Sequence, residues 1–74
     1  MSGALTPGDL DQLRDLAEEV RQAAKTARRI AHANPDPIHW RLLAMAEGAD
    51  EFVGAVNLLI SFVEVDQAER EASQ

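Results

Sequence analysis

The sequence predicts an all-α chain, an antiparallel two-helix hairpin that dimerises into a four-helix bundle. Three observations predict it. Two long stretches place apolar residues at alternating steps of three and four, the spacing of a helical seam. A Pro35-Asp36-Pro37 corner separates them, too short a connection for anything but antiparallel neighbours. And the second stretch holds more apolar side chains than one neighbouring helix can cover.

The first helix is expected over about residues 7–33. Thr6 offers a hydroxyl to the free N–H groups of the first turn, Pro7 suits the first helical position, and Asp9 completes a capping box. Its seam reads Leu10, Leu13, Ala17, Val20, Ala24, Ala27, Ala31, with Leu16, Ala23 and Ile30 as a flanking column. Acids load its first half and Lys25, Arg28 and Arg29 its second, the order that complements the helix dipole. Residues 34–36 form the corner, because a residue before proline is pushed out of the helical region.

The second helix is expected over about residues 37–66, with Asp36 as its cap and a frayed polar tail at 67–74. Its seam is read as Ile38, Leu42, Met45, Ala49, Phe52, Val56, Leu59 and Val63. Ala46, Val53 and Ile60 line one flank, and Ala55 and Phe62 the other. The stretch from Phe52 to Val65 is rich in β-branched residues, but it does not alternate apolar and polar positions as a strand would. Gly48 is expected to allow close approach of the first helix, and Gly54 the approach of a second hairpin.

Composition narrows the function. The chain has 74 residues, with 13 acids against 7 bases for a net charge of −6, and no cysteine. An acidic balance argues against direct binding to nucleic acid or an anionic membrane, and the lack of cysteine removes thiolate chemistry. Met1–Leu5 lacks the basic start of a signal peptide, and the longest apolar stretch falls short of the roughly 20 residues of a bilayer span. A soluble, cytoplasmic protein is expected.

Charge is unevenly placed. Residues 1–21 and 54–74 hold nine acids and three bases, while residues 22–53 hold four of each. The hairpin is therefore expected to be a charge dipole, basic at its corner and acidic at its open end, and two copies should prefer to lie head to tail.

No catalytic arrangement is found: there is no phosphate-binding glycine loop, and no histidine lies near Ser61 to activate it. No cofactor or metal ligand set is assigned. Glu18 and Glu19 with Glu47, Asp50 and Glu51 resemble in composition the carboxylates of a ferritin-like metal bundle, but no histidine follows a Glu at the required spacing. His32 and His39 read as exposed corner residues, and Arg14, Arg21 and Arg28 as a heptad column of flanking salt bridges.

The predicted role is a small, acidic, non-enzymatic interaction or regulatory protein whose partners are itself and another protein. Phe52, Val53, Val56, Leu59, Ile60, Phe62 and Val63 are assigned to self-association. Trp40, Arg41, Arg28 and Arg29 are assigned to partner binding at the corner, where Trp40 either packs back against Ile30 or Ala33 or anchors the partner. A phage-type inhibitor whose acidic end mimics nucleic acid is a further expectation from size and charge alone.

Trp40 near the corner and the run Phe62-Val63-Glu64-Val65-Asp66 near the end also resemble the WXG100 proteins exported by type VII secretion, and that resemblance implies a secreted hairpin. Here Arg41 and Leu42 follow the tryptophan with no glycine, and Phe62 stands where that family carries tyrosine.

Overall fold

The computed structural model describes residues 5–73. The chain is all-helical, with α1 at Pro7–His32 and α2 at Ile38–Ala72 packed as an antiparallel hairpin. No helix among the described residues is long and apolar enough to cross a membrane.

The start of α1 follows its sequence signal. The Asp9 backbone N–H donates to the Thr6 hydroxyl at 3.0 Å, and the Thr6 N–H donates to the Asp9 carboxylate at 3.0 Å. These reciprocal bonds satisfy two donors that would otherwise lack partners at the helix end. The C-terminus of α1 is closed by the corner. Asn34 donates from Nδ2 to the Ile30 carbonyl at 2.8 Å, and His39 bonds through Nδ1 to the Ala31 carbonyl at 2.6 Å.

α2 begins differently from expectation. Its N-cap is Pro37, with no side-chain cap bond, so Asp36 does not cap it. The Asp36–Pro37 peptide is cis. α2 also continues to Ala72 instead of ending near residue 66. The polar residues beyond Asp66 contain no glycine or proline, and Arg70 pairs with Asp66 one turn back at 3.1 Å.

The α1 seam is as predicted. Leu10, Ala17, Ala24 and Ala31 are buried, and Leu13, Val20 and Ala27 are half-buried. The α2 seam is rotated from the expected one. Ala46, Val53, Val56 and Ile60 are buried, with Leu42, Ala49 and Val63 half-buried, whereas Ile38, Met45, Phe52 and Leu59 are exposed. Thus Val53 and Ile60, read from sequence as surplus surface, belong to the intrachain core.

That core is thin. Among the described residues four of the eight buried ones are alanines, and no large side chain is fully enclosed. The molecule is a rod of 59 × 20 × 17 Å with a radius of gyration of 17.0 Å, against about 11 Å for a globule of this length. Gly48 and Gly54 both face open space: a Cβ at either would meet nothing within 4 Å. Gly48 therefore does not mediate the helix contact expected of it.

Candidate functional site

Two side-chain columns flank the α1 seam, one on each side. Arg14, Arg21 and Arg28 recur every seven residues on one side, and Leu16, Ala23 and Ile30 on the other. The α2 seam is flanked in the same way, by Asp50, Asn57 and Glu64 on one side and by Ile38, Met45, Phe52 and Leu59 on the other.

Cross-helix ion pairs fix which flanks meet. Arg14 reaches Glu64 at 2.5 Å, and Arg28 pairs with Asp50. The polar columns therefore lie on one broad side of the hairpin, and the two apolar columns are left together on the other. Arg21, level with neutral Asn57, turns instead to Glu18 on its own helix at 2.7 Å. The Glu18 carboxyl is held below its ordinary range by hydrogen bonds from Gln22 and then Arg21.

The apolar side is made by both helices. Leu16, Ile30, Met45, Phe52 and Leu59 are all exposed there although each is a large apolar residue. At the open end the same side carries a hollow of about 420 Å³ lined by Leu5, Asp9, Gln12, Leu13 and Leu16.

A separate apolar surface lies on the back of α2, away from α1. Leu58 is 76% exposed and Phe62 73%, against 44% for Phe52 and 43% for Leu59 on the flank. Val65 and Trp40 are exposed on this face too.

The residues assigned to self-association thus divide three ways. Val53, Val56 and Ile60 are buried in the hairpin seam and Val63 is half-buried at its edge. Phe52 and Leu59 stand on the apolar side, and Phe62 on the back of α2. The structure does not gather the four corner residues into one patch. Arg28 is engaged with Asp50, and the consecutive pairs Arg28–Arg29 and Trp40–Arg41 project about 100° apart, onto different faces.

At the corner, His39 is half-buried rather than exposed, because its ring is held by the Ala31 carbonyl. The Trp40 ring stands edge-on to it at 5.0 Å, and the His32 ring lies tilted to it at 6.0 Å. Trp40 does not bury itself against Ile30 or Ala33: both Trp40 and Ile30 remain exposed.

Glu18 and Asp50 are each occupied by arginine, and among the described residues no group of three or more His, Asp or Glu is placed to hold a metal ion. No family model, no curated protein and no solved structure matches the chain.

The sequence reading missed the sidedness of the hairpin. The signal was present: a heptad column of arginines on one helix and a heptad column of acid, amide and acid on the other.

Proposed function

We propose that this chain is a small acidic interaction protein that works as a homodimer, two hairpins stacking their apolar sides into a four-helix bundle that binds another protein. The observation that carries the proposal is the apolar side itself, built from Leu16, Ala23 and Ile30 of α1 and Ile38, Met45, Phe52 and Leu59 of α2. Exposed apolar surface of this extent marks a contact.

Area supports a second copy as the cover. A folded chain of 8.1 kDa is expected to expose about 4,500 Å², yet this one exposes 5542 Å². The surplus of about 1,000 Å² is close to the roughly 800 Å² that each partner contributes to a stable interface.

Charge and shape support a head-to-tail arrangement. A twofold axis across the middle of the rod sets α1 against α1 and α2 against α2. Phe52 then meets its own copy, Met45 meets Leu59 of the second chain, and Ala23 lies within one turn of the axis. Arg41 at the corner comes level with the acidic open end of the other chain near Asp66, and the apolar corner residues Ile30 and Ile38 face its open-end hollow.

Light scattering on purified protein tests the reading. The expected mass is twice the 8.1 kDa of the chain at micromolar concentration, falling to one chain in Phe52→Glu. A helical wild type that elutes at the mass of one chain would overturn it.

A further inference from the structure

The back of α2 is left bare by the hairpin, which covers α2 from the α1 side, and by the proposed dimer, which covers its flank. Three neighbouring columns make up this face. They read Trp40, Glu47, Gly54, Ser61; then Ala44, Glu51, Leu58, Val65; then Arg41, Gly48, Ala55, Phe62, Glu69.

The pattern along these columns is regular. Glu47 and Glu51 lie on the corner side, Leu58, Phe62 and Val65 in the middle, and Glu69 beyond them. Arg41 heads the third column at the corner, but from Ala44 to Glu69 the three columns carry acids and no lysine or arginine. Leu58 and Phe62 are the most exposed large apolar residues of the chain's described part. Gly54 and Ala55 beside them keep the surface low, and a Cβ at Gly54 would meet nothing within 4 Å.

We infer that this face is the docking site for an amphipathic helix of a different protein, one with a leucine-type apolar stripe flanked by lysine or arginine. The inference rests on reading the chain as an interaction protein and names its partner's chemistry. Helices laid in grooves are read through apolar anchors at helical spacing, and Leu58, Phe62 and Val65 recur at steps of four and three. Charge selects between occupants. A second copy laid antiparallel with Leu58 on Leu58 brings Glu47 against Glu69 and leaves Arg41 beyond the overlap, and laid parallel brings each acid against itself, so both pairings repel. Basic residues flanking the stripe of another helix would instead meet Glu47 and Glu51 at one end and Glu69 at the other.

The test titrates the intact protein with a fluorescent 18-residue helical peptide of leucine and lysine with one apolar face. The expected result is saturable binding that weakens with salt and drops roughly ten-fold or more in Phe62→Ser and in Leu58→Ser. Phe52→Ser, which alters the other surface, is expected to bind the peptide as the wild type does. The same peptide with glutamate for lysine is expected to bind at least ten-fold more weakly. No saturable binding, equal binding of the glutamate peptide, or full binding by both back-face variants would overturn the inference.

Sedimentation of the same samples separates the two proposals. Phe62→Ser that keeps the dimer mass while losing the peptide supports the docking site, whereas Phe62→Ser that falls to one chain means a second copy occupies this face and overturns it. A wild type at the mass of one chain that still binds through Phe62 overturns the dimer and leaves the docking site standing.

Discussion

Arg28 crosses the seam to Asp50, and fourteen residues away on each helix Arg14 makes the same contact with Glu64. The repeat spans two heptads, so it holds the two helices in one register and one rotation over most of α1. It also decides which side of the hairpin is polar, and by exclusion which side is apolar.

Halfway between these bridges Arg21 faces neutral Asn57. Asn57→Glu is expected to complete the ladder and stabilise the fold by about 0.5 kcal/mol, the modest scale of an exposed pair. Urea denaturation at low salt and in 1 M NaCl checks this. The gain should shrink at high salt, and a loss of stability at low salt would contradict the register.

His39 closes the carbonyl end of α1 from the start of α2. Its replacement by alanine is expected to cost about 1 kcal/mol, since it leaves the Ala31 carbonyl without that bond. For a domain this small the melting temperature falls by roughly 4–8 °C per kcal/mol. His32→Ala, which removes only a ring contact, is expected to cost less in the same melt.

Gly48 and Gly54 stand inside α2 with open space beside them. Gly48→Ala is expected to stabilise by about 1 kcal/mol, because alanine costs less helical entropy and clashes with nothing. Thermal denaturation gives the sign directly; destabilisation would show that something approaches this position in solution.

The depressed Glu18 carboxyl predicts a pH effect. A group whose folded pKa lies below its unfolded value contributes stability that is present above the unfolded value and lost as pH falls through the folded one. Carboxylate NMR should therefore place Glu18 below its ordinary 4.5. Gln22→Ala and Arg21→Ala should each return it toward that value, since the Gln22 bond is the largest single cause and Arg21 supplies both a bond and a charge.

Much of the fold was legible in the residues. Thr6, Pro7 and Asp9 marked the start of α1, the Leu10-to-Ala31 repeat marked its buried stripe, and the proline corner marked the reversal. The rotation of α2 was not legible from apolar periodicity. Ile38, Met45, Phe52 and Leu59 form as regular a column as Ala46, Val53 and Ile60, and only the placement of Asp50 and Glu64 against the arginines chooses between them. An alanine-rich α1 accepts either, because small side chains impose little shape. The His39 bond was hidden for a different reason: it depends on how the corner folds back, which spacing does not encode.

The self-association surface was therefore legible only in part. Sequence found that the C-terminal half holds more apolar surface than α1 covers, but divided it wrongly between inside and outside. Val53 and Ile60 went inside because they sit nearest the α1 alanines; Phe52, Leu58, Leu59 and Phe62 stayed out.

A single cysteine tests the central claim most directly, since the chain has none of its own. In the head-to-tail dimer Ala23 lies on the covered side within one turn of the twofold axis, so Ala23→Cys is expected to oxidise to a covalent dimer. Lys25→Cys, on a different face of α1, is expected to stay monomeric under the same mild oxidation. Slow or equal cross-linking of the two variants would contradict the account.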